Sequence, residues 1–65
     1  MTVLVNGETT TVRPQSSVGD LVAQMGLPDR GIAVAVDGEV VPRGGWDRLL
    51  RSDAQIEIVT AVQGG

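Results

Sequence analysis

Cysteine, histidine and lysine do not occur in this 65-residue sequence. Without Cys no disulfide staples the fold and no thiol serves as nucleophile. Without His there is no imidazole base, and zinc sites built on either residue are excluded. Without Lys the chain has no side-chain amine that could accept an acyl group; its five cations are all Arg. A net charge of −3 with dispersed cations gives no electrostatic reason to expect nucleic acid or an anionic membrane as partner. No apolar run approaches the ~20 residues of a membrane span. The opening "MTVLVNGETT" has neither the basic nor the long apolar region of a secretion signal. The expected location is the cytoplasm.

Conventional catalysis is poorly supplied. Acid–base chemistry without His needs positioned carboxylates, and here the acids fall in turns and caps. Asp20 sits in a helix cap, Asp37 and Glu39 flank a tight turn, and Asp53 is placed at the start of the last strand. Ser16 and Ser17 read as helix caps, since no base is present to activate them. Arg43, Arg48 and Arg51 cluster around Gly44-Gly45, but without the spacing or the lysine of a phosphate-binding loop they read as a solvated face. The expectation is a protein that is not an enzyme and holds no metal or cofactor of its own.

What is present is a clear alternation of elements. "TVLV", Asn6-Gly7 and "ETTTVR" form a hairpin pattern, because both turn residues accept the positive φ of a type I′ turn. Pro14 ends the second strand. Val18, Leu21, Val22 and Met25 then recur at helical spacing, with Ser17 and Asp20 as an N-terminal cap and Gly26 and Pro28 as a stop. Gly19 inside that helix marks a close approach to the sheet or costs stability. "IAVAV", Asp37-Gly38 and "EVV" make a second hairpin, ended by Pro42. The segment "RGGWDRLLRS" reads as a loop with one helical turn at 47–50, with Trp46 anchoring it to the core. "AQIEIVTAV" is the fifth strand. One helix covering one face of a mixed five-stranded sheet is the two-layer solution for so few elements. The expected fold class is α+β, the β-grasp or ubiquitin-like arrangement. Residues 1–62 would form the domain and 63–65 a flexible C-terminal tail.

Alternation puts Val3, Val5, Val12, Val34, Val36, Ile56 and Ile58 against the helix with Val18, Leu21 and Met25. It leaves Leu4, Ala33, Ala35, Val59 and Ala61 on the opposite face, interrupted by Thr2, Thr11 and Glu57. Either these are scattered exposed apolar residues of no consequence, or they form a shallow docking surface. Beyond them the sequence reads Gln63, Gly64, Gly65. A carboxylate on two glycines is unhindered, and glycines can extend through a slot closed to other residues. Such a group can be activated with ATP and passed to sulfur, oxygen or nitrogen. With no Cys in the chain, sulfur carried on it would sit at that carbonyl as a thiocarboxylate.

The residues "VNGE", "AVAVDGEVVPRGGW" and "IEIVTAV", together with Gly64-Gly65, resemble the sulfur carrier family of thiamine (thiazole) biosynthesis, prokaryotic relatives of ubiquitin. The spacing Val41-Pro42-Arg43-x-x-Trp46 is the most specific piece. Asp37 replaces a commoner Asn, Asp53-Ala54 a commoner Gly-acid turn, and Gln63 a small residue. The resemblance implies that an E1-like adenylyltransferase uses ATP and magnesium to adenylate Gly65. Sulfur, in many such systems from a cysteine desulfurase, then gives a thiocarboxylate that thiazole synthase consumes. It also implies that Leu4, Val59, Ala61, Val62 and Gln63 dock the partners while Gly64-Gly65 enter their active sites. The free protein is expected to be a monomer. Three other readings stand beside this one: a molybdopterin-synthase-type sulfur carrier, a protein modifier joined to lysines, and a non-covalent interaction module with an idle tail.

Overall fold

The computed structural model describes residues 1–60. Two glycine turns build its hairpins. β1 (Thr2–Val5) and β2 (Glu8–Thr11) meet at Asn6-Gly7, with φ of 51° and 85°; β3 (Ile32–Val36) and β4 (Glu39–Val41) meet at Asp37-Gly38, with 51° and 84°. Two successive positive φ angles are the I′ geometry, whose twist matches that of the strands it joins. The final strand, β5 (Gln55–Thr60), enters between the hairpins to give the order β2-β1-β5-β3-β4. It runs parallel to β1 and antiparallel to β3. The central position thus belongs to the last of the described strands.

The helix α1 (Val18–Gln24) starts at a full capping box: the Ser17 hydroxyl accepts from the Asp20 N–H, and the Asp20 carboxylate accepts from the Ser17 N–H. Val18, Leu21 and Val22 pack on Val3, Val5, Val34, Val36, Ile56 and Ile58, all buried. Val12 is buried too, beyond the end of β2, where its N–H donates to the Met1 carbonyl. The arrangement is the expected α+β β-grasp: one mixed sheet with one helix on one face.

Four local expectations differ. Met25 is 41% exposed rather than in the core. The helix ends at Gln24, and Gly26, with φ of 69°, turns the chain away before a fourth stripe residue can reach the sheet. Val41, Trp46, Leu50 and Ala54 fill that share of the core instead. The helical turn lies at Arg43–Gly45, a 3₁₀ turn, not at 47–50. The reason is tertiary: the carbonyls of Trp46 and Arg48 accept from the Gly19 and Val18 N–H groups. Those are donors that the start of a helix leaves unpaired, and they hold the following residues extended, so that Leu49 bridges Ser17. Gly19 approaches this loop rather than the sheet; a Cβ there would meet the Trp46 carbonyl oxygen at 3.5 Å. Finally, Asp53 does not begin the last strand. It sits at φ 64° in the preceding turn and donates its N–H to the Thr2 carbonyl.

Candidate functional site

The two turns that shape the hairpins also hold β5. Asp37 accepts the Gln55 N–H on its carboxylate at 2.9 Å and donates its own N–H to the Gln55 carbonyl. On the opposite edge Asn6 donates its backbone N–H to the Ile56 carbonyl. Its side-chain amide then takes both backbone groups of Ile58, accepting at 2.9 Å and donating at 3.1 Å. A planar amide offers one donor and one acceptor side by side, so Asn6 acts as one further rung of the β1–β5 ladder. The strand that leads toward Gly65 is therefore fixed in register from both sides.

The side chains of β5 alternate cleanly. Ile56 and Ile58 are buried, while Gln55, Glu57 and Val59 are exposed on the helix-free face. Cross-strand register places Val59 beside Ala33, and Ala35 between Glu57 and Val40. Ala33, Ala35, Val40, Val59 and Glu57 line one shallow hollow of about 180 Å³. Val40 on the edge strand β4 and Val59 on the central strand β5 are 69% and 64% exposed. A second hollow, lined by Leu4, Asn6, Gly7, Gln55 and Glu57, adjoins it, and Glu57 belongs to both.

This geometry divides the expected docking strip. Leu4 pairs with Gln55, four residues from Val59 and so about 13 Å away along the strand. Among the described residues the apolar neighbours of Val59 are on β3 and β4, not on β1. Val40 was the residue that sequence reading missed. Its alternation with the buried Val41, fixed by the Asp37-Gly38 turn, is the signal that would have found it. Ala61, Val62, Gln63, Gly64 and Gly65 lie outside the described residues, as do the last two residues expected in the domain and the whole of the expected 63–65 tail.

Two of the three clustered arginines are engaged by neighbouring acids, and Arg51 is exposed. Arg43 bonds the Asp29 carboxylate at 3.1 Å and the Asp29 carbonyl at 3.0 Å, and its guanidinium lies 5.1 Å from the centre of the Trp46 ring. Arg48 pairs with Glu39 at 2.9 Å. The Trp46 ring is buried and donates its Nε1–H to the Val41 carbonyl at 3.3 Å. Val41-Pro42-Arg43-x-x-Trp46 thus folds back on itself as a clasp between β4 and the long loop. Among the described residues no three potential metal ligands gather, and no helix is long and apolar enough to cross a membrane.

A sequence model of the ThiS family matches residues 3–65. Two solved structures are similar over the whole chain. The crystal structure of a thiamine biosynthesis protein (ThiS) from Geobacter metallireducens is 25% identical, with a TM-score of 0.84 and 100% of both chains covered. The solution structure of a thiamine biosynthesis protein from Geobacter metallireducens is also 25% identical, with a TM-score of 0.83, covering 100% of this chain and 88% of that one. No curated protein matches the chain.

Proposed function

The chain belongs to the ThiS family of small sulfur carriers, and from that premise we propose that its working group is the carboxylate of Gly65. In this reading an E1-like adenylyltransferase binds the protein, and a carboxylate oxygen of Gly65 attacks the α-phosphorus of ATP. Pyrophosphate leaves and an acyl adenylate remains. The outer sulfur of a persulfide donor, such as that of a cysteine desulfurase, then displaces AMP to give an acyl disulfide. A thiol of the partner or a small-molecule thiol cleaves it by exchange, leaving the thiocarboxylate on Gly65 and a disulfide between the donor and that thiol. Thiazole synthase takes the sulfur for the thiazole ring of thiamine. ATP and magnesium are bound by the activating enzyme, and catalysis belongs to the partners. Gly64 and Gly65 supply an acyl carbon that no side chain crowds.

The observation that carries this reading is the reach of the family match, which runs through Gly64-Gly65 to residue 65. The residue inventory agrees with it. A chain without Cys, His or Lys offers no side-chain thiol, imidazole or amine for acyl or sulfur transfer. The proposed docking residues Val59, Ala61, Val62, Gln63 and, at a distance, Leu4 would steer the tail into each partner.

The test is intact-mass spectrometry after incubation with an E1-like adenylyltransferase, ATP, magnesium and a sulfur donor. A mass gain equal to one oxygen replaced by sulfur, mapped to Gly65, is the expected result. Attachment to other proteins instead would identify a modifier. An unchanged mass with every such enzyme from the same organism would overturn the proposal.

A further inference from the structure

Among the strand residues that face away from the helix, Glu57 alone is ionisable. Its neighbours on that face are apolar or uncharged: Ala35 across the β3 edge, Val59 and Gln55 along β5, and Leu4 beside Gln55. Arg43 and Arg48 are engaged by Asp29 and Glu39, and no arginine lines either of the two hollows to which Glu57 belongs. Glu57 itself makes no ion pair or side-chain hydrogen bond among the described residues. Glu is a weak strand former, and a Thr or Val would suit a central strand better.

We infer that Glu57 is a specificity-determining residue of the docking face, recognising an arginine or lysine on the surface of the activating enzyme. The inference rests on the sulfur-carrier reading and adds to it the chemistry that the partner must present. Glu57 is shared by the two hollows of the face. A partner that fills the hollow of Ala33, Ala35, Val40 and Val59 with an apolar side chain must therefore cover this carboxylate. Covering it without a counter-charge leaves a desolvated, unpaired anion, which is strongly unfavourable. A guanidinium meets the requirement best, since its fork can engage both carboxylate oxygens. The apolar hollow then supplies contact area, and Glu57 supplies register and discrimination. Glu57 precedes Gly65 by eight residues in the chain, so fixing it limits how far from the docked face Gly65 can lie.

The experiment is calorimetric titration of the protein with the E1-like adenylyltransferase from the same organism, at low and high salt, for wild type, Glu57→Gln, Glu57→Arg and Glu8→Gln. Glu8→Gln removes the same unit of charge at an exposed site on the edge strand β2, outside the docking face. Glu57→Gln is expected to weaken binding about tenfold or more and to flatten its salt dependence, with Glu57→Arg weaker still. Glu8→Gln should bind as wild type does. Equal affinity of wild type and Glu57→Gln at both salt levels overturns the inference, while the wild-type mass gain leaves the sulfur-carrier reading standing. A wild type that neither binds nor gains mass overturns both.

Discussion

Asn6 joins turn chemistry to strand pairing. At φ 51° it occupies a region that Asn tolerates better than most residues, and its amide also pairs with both backbone groups of Ile58. Asn6→Gly separates the two roles, because Gly keeps the turn and removes the amide. The expected loss is ~1–3 kcal/mol, for two hydrogen bonds whose β5 partners are left half-covered. Hydrogen exchange should localise it: the Ile58 amide should lose protection beyond the global change in stability. Uniform loss across the sheet would show that the amide only supports the turn. Trp46 tests the other extreme of side-chain size. It is 9% exposed, bonded to the Val41 carbonyl and stacked beneath Arg43. Trp46→Ala opens a cavity and removes that hydrogen bond, for a loss of ~3–5 kcal/mol. In a domain this small that is most of the available stability. Urea titration followed by circular dichroism is expected to show a chain largely unfolded before denaturant is added. A variant keeping more than half of the wild-type midpoint would contradict the anchoring role.

At the scale of elements, α1 depends on its start more than on its length. Seven residues do not hold a helix in water, so the capping box and the donors satisfied by Trp46 and Arg48 decide whether it forms. Ser17→Ala is expected to cost ~1 kcal/mol, with an unchanged denaturant slope. A cost below ~0.3 kcal/mol would mean that the loop carbonyls alone fix the helix start. The contrast explains what could be read in advance. Both hairpins, the helix cap and the buried alternation of β5 are local codes: Asn-Gly, Asp-Gly, Ser-x-x-Asp, and every second residue apolar. Between Arg43 and Asp53 the anchoring by Trp46 is legible, but the place of the helical turn and of Asp53 is not, because they answer to partners far away in sequence. Trp46 and Arg48 give their carbonyls to a helix more than twenty residues earlier, and Asp53 bonds Thr2. Met25 was misread for a related reason, since the stripe pattern continues past the point where Gly26 turns the chain. In the proposed docking face, alternation identifies Val59 and Leu4, but only strand order shows Val59 beside Ala33 and far from Leu4.

Across the whole molecule, the core and the proposed reactive group occupy different parts of the chain. Every buried apolar side chain of the described core lies between Val3 and Ile58, and the described chain packs to a radius of gyration of 11.2 Å. The proposed chemistry needs only the acyl carbon of Gly65. Stability and function should therefore be separable at the C-terminus, as they are not at Trp46. A variant ending at Val62 removes Gln63, Gly64 and Gly65 and none of the described core. Its free energy of unfolding is expected to stay within ~0.5 kcal/mol of wild type, while sulfur incorporation in the mass assay falls to zero. Its affinity for the activating enzyme should fall less steeply, because the face of Val40, Val59 and Glu57 is intact. A stability loss above ~1 kcal/mol would show that the last three residues belong to the folded unit. Sulfur incorporation without Gly65 would move the reactive group elsewhere and remove the basis of the carrier reading. Retained binding with no transfer would separate recognition by the sheet from chemistry at the tail.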